Sequence, residues 1–440
     1  MLALAAIALV SLLVRLAPLI RPGIGWATTS DSIGYIHLAN GLVAGCGFAR
    51  AVFGRCLQAE LVRTPGYPLY LALFPSMRAA LAVQAVLGTA GIFISALFTW
   101  RWIGITGAFI VAAVLGLDVP SIVASNSLLT ETLFTSLVTV AILVQLEAIL
   151  RDVIDAQAIA YVFIAGLFIG LATLVRPIGE VLIVVAPLPA LFLRGLVPTK
   201  RIALALLAVL VPLVIIAGWS YRNWDRRGIW TLSTVAALDT YYYRAAGVLA
   251  YENGRSFEEV RSELLQSTGD SVETLSPEIT EDLSRRGRAI LRTHPGAFCI
   301  VALRGFLKSA FSVDRGGPRI LCGYETPRDE ADSGSSEKIF SILSFPLLSL
   351  VLLMGYCLLA FTWAGAGLAL WCLRNSPSRN NALSIIPLTA AVLLLAAAAG
   401  PEGYDRFRVP AMPLLAIVAA SGWTRRYRLI ANSRITRTHV

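Results

Sequence analysis

Long apolar segments alternate with shorter polar ones along most of this 440-residue chain. A run of about 20 apolar residues forms a helix long enough to cross a hydrocarbon core. Such runs lie at roughly 2–20, 79–99, 104–117, 130–149, 157–175, 178–193, 202–220, 339–373, 382–399 and 410–424. The run 339–373 is long for one upright helix, so it is either tilted or contains a second crossing. The pattern predicts an all-α polytopic membrane protein with about ten transmembrane helices.

Composition and charge agree with this class and give an orientation. The chain is 57% hydrophobic and 15% charged, with a mean hydropathy of +0.72, which excludes a soluble domain of this size. Its net charge is +10, and arginines are concentrated in alternate loops and in the tail 425–440. Because positive residues flank cytosolic helix ends, we expect the N-terminus and the tail to be cytosolic. Topology then accounts for the charge, and nucleic acid is not an expected partner.

Two external segments are longer than a turn and define the expected domains. The expected domains are four. They are a transmembrane module of about seven spans at 1–220 with its first external loop at 21–78, a periplasmic helical domain at 221–338, C-terminal transmembrane helices at 339–424 and a basic cytosolic tail at 425–440. In the first loop, Ser30 or Asp31 is placed to cap a short helix along the membrane surface. In the second, Pro277 favours a helix start. The apolar stretch 295–311 carries Arg304 and Lys308, so we expect an interfacial helix there rather than a costly crossing.

Six cysteines are spread along the chain. Cys46 and Cys56 share the first external loop, where an oxidising compartment permits a disulfide. No Cys or His cluster has the spacing of metal ligands, so the sequence predicts neither a metal site nor a cofactor.

In this orientation the polar motifs all emerge on the non-cytosolic side of the membrane. They are Asp31, the 63–68 stretch, Glu131, Arg176-Pro177, Arg222 and 402–408. A secondary transporter, the main non-enzymatic alternative, typically has inverted repeats and binding residues at mid-membrane. The sequence has no internal repeat and no cluster of mid-span charges. The pattern therefore indicates a site built at one membrane face.

Two acids are candidates for proton transfer. Asp31 follows the first span closely, and a carboxylate there can accept a proton from an attacking hydroxyl. The alternative is a helix N-cap, a position that favours Asp. Glu131 lies at the outer end of a span, where it is either a second acid of the site or a carboxylate stabilised by the helix dipole.

Several arginines are candidates for binding an anion. Arg63 precedes a turn with two prolines, which restrict the backbone and hold the side chain in place. A guanidinium at headgroup level can grip a lipid-linked phosphate with two hydrogen bonds, although it can also bind ordinary phospholipid. Arg406 and Arg408 lie two residues apart in the last external loop, which indicates an anion site. Arg176 and Arg222 end two spans externally, as interface anchors or as ligands.

Together these motifs resemble the GT-C superfamily of polyprenyl-phosphate-sugar glycosyltransferases, within it the protein-O-mannosyltransferase and aminoarabinose-transferase-like proteins. The resemblance rests on Asp31 followed four residues later by Tyr35, on Arg63-Thr64-Pro65-Gly66-Tyr67-Pro68, on Thr130-Glu131, on 219–228 with Arg222-Asn223, and on Arg406-Phe407-Arg408-Val409-Pro410 with Pro413. It spans most of residues 1–240 and the final 40. Many relatives have a second acid beside the first, whereas Ser32 follows Asp31 here, which favours a metal-independent reaction.

The resemblance implies a GT-C-like fold and an inverting sugar transfer from a polyprenyl phosphate carrier to an acceptor hydroxyl at the periplasmic face. Asp31 is implied as the general base, and Glu131 as the residue that orients acceptor or sugar. Arg63, with Arg406 or Arg408, would stabilise charge on the leaving phosphate. The implied substrate-binding residues also include Tyr35, Tyr67, Arg176 and Arg222.

The implied partners are a polyprenyl-phosphate-linked sugar donor, a glycan, lipid or protein acceptor, and the lipids of a bacterial plasma membrane. A glycan polymerase or a flippase handles the same lipid carriers, and a polymerase would share the logic of this site. Both remain open at this stage, beside the transporter.

Overall fold

The structure, a computed structural model, describes residues 2–20, 29–52, 55–151, 156–193, 195–268, 277–313, 346–375 and 381–437. Its α-helices are α1 Leu2–Ile20, α2 Ser30–Val43, α3 Gly66–Ala72, α4 Met77–Ile103, α5 Ile105–Gly116, α6 Val119–Ser125, α7 Glu131–Arg151, α8 Ala156–Val175, α9 Leu188–Phe192, α10 Pro198–Arg227, α11 Val235–Leu238, α12 Ala246–Asn253, α13 Phe257–Thr268, α14 Pro277–Thr293, α15 Pro295–Phe311, α16 Pro346–Asn375, α17 Ala382–Ala398 and α18 Met412–Arg437. There are also 3-10 helices at Pro177–Val184 and Asp405–Ala411, a π-helix at Asp239–Ala245, and strands β1 Ala49–Val52 and β2 Arg55–Ala59.

The described residues contain seven helices that are long and apolar enough to cross a membrane. The pair α5 and α6, bent by 59°, makes an eighth if it counts as one span. Two shorter apolar stretches, Pro177–Phe192 and Ala382–Ala398, coincide with further predicted runs. The helical membrane class is therefore confirmed, while the count of about ten spans stays a prediction. The long run near 339–373 is described as one helix, α16, from Pro346 onward.

The predicted helix at 178–193 is not a continuous α-helix, which corrects that expectation. It consists of the 3-10 helix Pro177–Val184 and the short α9. Pro187 and Pro189 lie where the two meet, and a proline inside an α-helix removes a hydrogen bond and clashes with the preceding turn. Gly179 packs so closely that a Cβ there would lie 2.7 Å from Thr173 Oγ1. The segment is therefore irregular, and at Gly179 it packs closely against α8.

The first external loop contains the short helices α2 and α3, as expected, but its details differ from the prediction. Thr29, not Ser30 or Asp31, caps α2, and it exchanges hydrogen bonds with Ser32 in a capping box. Strands β1 and β2 form an antiparallel hairpin that the sequence analysis did not predict. A disulfide joins Cys46 to Cys56, with their Cα atoms 5.4 Å apart.

Charged contacts show which helix ends lie together. At one end of the bundle, Glu147 of α7 pairs with both Arg101 of α4 and Arg151. At the opposite end, Glu131, the first residue of α7, pairs with Arg176 just after α8. The predicted order of crossings also places Arg101 and Glu147 at one end of the bundle and Glu131 and Arg176 at the other. The polar motifs lie at the end that contains Glu131.

Beyond the membrane helices, α11 to α15 form a small helical layer. Leu283 of α14 is buried against Tyr241 and Tyr242 of the π-helix. The two charges of α15 have partners in neighbouring segments, since Arg304 lies 5.1 Å from the Tyr251 ring centroid and Lys308 donates to a main-chain carbonyl of the last external loop. These contacts position the layer beside the polar ends of the bundle.

Candidate active site

Asp31 lies between two arginines from distant parts of the chain. Its Oδ1 is 3.3 Å from Arg63 Nη1, and its Oδ2 is 3.8 Å from Arg406 Nη2. The side chain is 43% exposed. Because Thr29 performs the capping of α2, the Asp31 carboxylate is not needed as a cap. It is an accessible carboxylate held by two guanidinium groups.

The N-terminal half of α2 shapes the position of Arg63. The guanidinium carbon of Arg63 lies 4.6 Å from the ring centroid of Tyr35. A Cβ on Gly34 would lie 2.5 Å from Arg63 Nε, so a larger residue at 34 would displace the arginine. Tyr67 packs edge-on behind Tyr35, with ring centroids 5.1 Å apart, and donates to Gln84 Oε1 at 2.6 Å. Burial raises the pKa of the Tyr35 hydroxyl, which stays neutral and supports the guanidinium with its ring.

The segment that carries Arg63 is anchored on both sides. Before it, Glu60 pairs with Arg50 at 2.9 Å and accepts from the Val62 amide at 2.7 Å. After it, Thr64 Oγ1 donates to the Val175 carbonyl at 3.1 Å, at the end of α8. Arg63 therefore reaches Asp31 from a backbone with little freedom, next to the point where Arg176 leaves α8.

A second ion pair lies beside the first. Glu131 Oε1 is 2.8 Å from Arg176 Nη1, and the acid is almost fully buried while the arginine is 19% exposed. The guanidinium carbon of Arg176 lies 6.0 Å from the Phe407 ring centroid, and that of Arg406 lies 5.4 Å from the same ring. Phe407 thus joins the two pairs into one cluster.

Arg63, Arg176 and Arg406, which we call the anion cluster, have donor groups without acceptors. Arg63 Nε, Arg176 Nη1 and Arg406 Nε are buried, and none makes a hydrogen bond of normal geometry. Arg176 Nη1 is close to Glu131, but its N–H groups are not aligned with the carboxylate, so the contact is one of charge. Buried polar groups are normally satisfied, and an unmade bond costs about 1–3 kcal/mol. Two of these arginines face Asp31 and the third faces Glu131, and their free donors are suited to a bound anion.

Two other predicted binding residues make structural contacts instead. Arg222 donates to the carbonyls of Phe48 at 2.9 Å and Glu60 at 3.0 Å. Arg408 is 1% exposed and donates to the carbonyls of Ser309 and Ser312, both at 2.8 Å. The structure does not bring either guanidinium into the anion cluster.

Arg222 belongs to a group that holds the β1–β2 hairpin. Arg227, one turn further along α10, donates to the Ala59 carbonyl at 2.9 Å. Arg50 of β1 makes the buried ion pair with Glu60. We call Arg50, Arg222 and Arg227 the hairpin clamp. It fixes the chain that leads into Arg63.

Asp239 is a residue of this region that the sequence analysis missed. It begins the π-helix, an irregularity that is frequent at functional sites. Asp239 is an exposed residue, although many protein atoms lie near its carboxylate. Burial raises the pKa of Asp239 to about 6, partly offset by the charge of Arg244, and Asp31 and Arg176 also interact with it. No local pattern in the external segment marks this residue.

The charge distribution around Asp31 does not fit a divalent cation. Within the described ranges, no group of three or more His, Cys, Asp or Glu side chains could hold a metal ion. The neighbour of Asp31, Ser32, is fully buried in the capping box. The carboxylate oxygens of Asp31 face Arg63 and Arg406, so guanidinium groups already provide the positive charge. We therefore derive no step through a metal.

No family model and no curated protein matches the chain, but several solved structures have a similar fold. The chain is similar to the oligosaccharyltransferase of Archaeoglobus fulgidus in complex with Zn and sulfate, with 16% identity and a TM-score of 0.52, over 97% of this chain and 49% of that one. It is also similar to the oligosaccharyltransferase AglB of this archaeon with an inhibitory peptide and a dolichol-phosphate, with 16% identity and a TM-score of 0.51, over 99% and 51%. A weaker likeness is to ArnT from Cupriavidus metallidurans bound to undecaprenyl phosphate, with 16% identity and a TM-score of 0.41, over 96% and 77%.

The likeness to the oligosaccharyltransferase confirms the GT-C-like fold predicted from the sequence. The chain spans about half the length of that protein. Fold and cluster together define a polytopic membrane protein with a GT-C fold and a carboxylate–arginine site at one end of its helix bundle.

Proposed function

We propose that this chain is an inverting glycosyltransferase that moves a sugar from a polyprenyl phosphate carrier to an acceptor hydroxyl. The observation that carries the proposal is the placement of Asp31 between Arg63 and Arg406, beside the Glu131–Arg176 pair. A base next to an anion-binding group is what this transfer needs. The likeness to an oligosaccharyltransferase supports the general class.

In the proposed step, Asp31 accepts the proton of the acceptor hydroxyl. The oxygen attacks the anomeric carbon from the side opposite the phosphate and forms the new glycosidic bond. The bond between the anomeric carbon and the phosphate oxygen breaks, and its electron pair stays on the phosphate. The products are an inverted glycoside, a polyprenyl phosphate with one more negative charge, and a protonated Asp31.

The anion cluster is suited to the charge that develops on the leaving phosphate. Arg63 and Arg406 are already fixed by Asp31 and by ring contacts, so they need little reorganisation when charge appears. Glu131 holds Arg176 in place and can orient the acceptor or the sugar. The free donor groups of Arg63, Arg176 and Arg406 provide hydrogen bonds to phosphate oxygens.

We further propose that the site faces the periplasm of a bacterial plasma membrane, with residues 221–338 outside. The arginine-rich alternate loops support this orientation. The Cys46–Cys56 disulfide at the end of the bundle near the site also suits an oxidising compartment. Reporter fusions after Gly195 and after Arg374 should read cytosolic, and a fusion after Gly254 periplasmic. A cytosolic signal from the fusion after Gly254 would reject the orientation.

The reaction is tested with radiolabelled polyprenyl-phosphate hexoses and pentoses added to membranes that contain the protein. We expect label from at least one donor to move into a non-carrier product and this transfer to be lost in Asp31→Asn. Asp225→Asn is a matched control. Asp225 is an exposed acid at the C-terminal end of α10, and it pairs only weakly with Arg226. Equal transfer by both variants, or no transfer by wild type with the whole donor panel, would contradict the proposal.

A further inference from the structure

A chain of aromatic and charged side chains leads away from Asp31 through Arg406. The guanidinium carbon of Arg406 lies 5.2 Å from the ring centroid of Tyr404. The Tyr404 hydroxyl lies 3.4 Å from Glu402 Oε1. Glu402 interacts electrostatically with Arg261, which donates to the Tyr243 hydroxyl at 2.7 Å. We call Tyr404, Glu402, Arg261 and Tyr243 the aromatic track.

The loop that presents Tyr404 and Glu402 has a fixed shape. Gly403 has a φ of +54°, in the left-handed region that favours glycine. A Cβ there would also lie 2.9 Å from the Cβ of Lys308. Lys308 Nζ donates to the Glu402 carbonyl at 2.6 Å. The loop is therefore held against α15, and Tyr404 is presented with 39% of its surface exposed.

The external helices complete the track from the other side. Arg261 of α13 lies 4.5 Å from the ring centroid of Tyr243 in the π-helix and pairs with Glu258 at 3.4 Å. The Tyr243 ring lies 6.3 Å from that of Phe257. Burial raises the pKa of Glu402, an effect partly offset by Arg261 and Arg406. Glu402 is thus a partly enclosed acid that lies beside the Tyr404 hydroxyl and interacts electrostatically with Arg261 and Arg406.

This combination matches the chemistry of a saccharide. A sugar ring has C–H groups on its faces and hydroxyls around its edge, so it binds where an aromatic ring lies beside carboxylate and guanidinium groups. We propose that the aromatic track is an acceptor subsite that binds a sugar unit of a glycan whose hydroxyl reaches Asp31. The inference rests on the proposed function and deepens it, because it selects a carbohydrate acceptor over a protein or a lipid.

The alternatives fit the track less well. An acyl chain needs continuous apolar surface, whereas each tyrosine here contacts a guanidinium or a carboxylate. One recurring mode of peptide binding adds an extended strand to a free sheet edge. In the described part of the chain the strands are β1 and β2, whose hairpin is held by the hairpin clamp rather than placed at Tyr404.

The chain offers a matched control for the track. Tyr251 and Arg304 form a similar ring–guanidinium pair at 5.1 Å, and Tyr251 is 40% exposed. Among the contacts of the described residues, neither meets Glu402 or Arg406. Tyr251→Ala therefore removes an exposed tyrosine of the same layer without touching the track.

The test uses saturation-transfer NMR on the full-length protein in a sugar-free polyoxyethylene detergent. The probes are a panel of free mono- and disaccharides and, separately, short Ser/Thr-containing peptides. We expect at least one saccharide to bind wild type and Tyr251→Ala, and Tyr404→Ala to weaken binding about fivefold or more, as expected when an aromatic contact is lost. Tyr404→Phe keeps the ring and should retain most of the binding, while Glu402→Gln should weaken it. Tyr404→Ala should still bind undecaprenyl phosphate, because Phe407 and Asp31 continue to hold Arg406.

Each other outcome contradicts either the inference or the proposed function on which it rests. Saccharide binding that Tyr404→Ala leaves unchanged would locate the sugar elsewhere. Binding of peptides but of no saccharide would assign the track to a protein acceptor. Undecaprenyl phosphate binding without any saccharide binding would reject the subsite and leave the proposed function intact. Wild type that binds saccharide at the track but no undecaprenyl phosphate would instead count against the proposed function.

Discussion

The hairpin clamp and the anion cluster contain the same residue type at the same end of the bundle, and they flank one short segment of chain. Arg222 and Arg227 of the clamp donate to main-chain carbonyls at 2.9–3.0 Å. Arg63 and Arg406 of the cluster face a carboxylate, and each has a buried Nε without an acceptor. The difference lies in what the guanidinium groups meet, not in where the sequence places them.

The hairpin clamp holds the fold, whereas the anion cluster is available to bind a ligand. Main-chain carbonyls accept from Arg222 and Arg227, and Glu60 pairs with Arg50, so the clamp stabilises the hairpin without a ligand. The cluster has unmade hydrogen bonds that a bound anion can complete. Removing a clamp residue should affect stability, and removing a cluster residue should affect activity.

The largest effect is expected at Asp31, the carboxylate that the cluster surrounds. Asp31→Asn keeps the size of the side chain but cannot accept the proton. Sugar transfer in membranes should fall about 100-fold or more, the loss typical of a missing general base. Expression should equal wild type, because Thr29 caps α2. If more than about a tenth of the activity remains, Glu131 becomes the better candidate for the base.

Arg63→Lys tests the cluster directly. A lysine keeps the charge but loses the two-pronged contact and the flat stacking on Tyr35. We expect transfer at subsaturating donor to fall about tenfold or more, which corresponds to about 1.4 kcal/mol or more of lost stabilisation. The melting temperature should change little. Near-normal turnover would mean that Arg63 is an interface anchor.

Arg222→Met is the matched change in the clamp. It leaves the Phe48 and Glu60 carbonyls without their donor, which should cost about 1–3 kcal/mol of stability. A thermal-shift assay should show a lower melting temperature, while transfer per folded molecule should stay within about twofold of wild type. A large loss of donor affinity at unchanged stability would place Arg222 with the cluster instead.

The smallest effect is expected at Asp239, the acid at the start of the π-helix. Because burial raises the pKa of Asp239 to about 6, the native state holds this proton more tightly than the unfolded chain. Stability contributed by the protonated group is therefore lost as the pH rises from about 4 through about 6. Ionisation also adds negative charge near Asp31 and Arg176.

We expect the affinity for a polyprenyl phosphodiester, which keeps one charge over this range, to fall about threefold between pH 5 and pH 7.5. Asp239→Asn should remove this dependence. The measurement is a binding titration at several pH values for both proteins. An identical pH profile for the two would show that another group titrates.

Local patterns were sufficient for the membrane class, most helix positions and the side of the bundle on which the polar motifs lie. Apolar runs of the required length predicted the long helices because a span has to be both continuous and apolar. Pro277 marked the start of α14, and the prolines after Arg63 indicated a restricted backbone. Even so, proline spacing made the 178–193 run irregular, and Thr29 replaced the predicted cap.

The sequence by itself thus determined the helical membrane fold and a set of acids and arginines at the helix ends on one side of the predicted topology. Only the tertiary structure decided which of them meet. Asp31, Arg63 and Arg406 come together through helix packing, and Arg222 and Arg408 are drawn to nearby carbonyls. Asp239, in a π-helix far along the chain, interacts electrostatically with Asp31 and Arg176. The physical reason is that hydrophobic periodicity acts over a few residues, whereas the partner of a charge is chosen by distance in space between segments far apart along the chain.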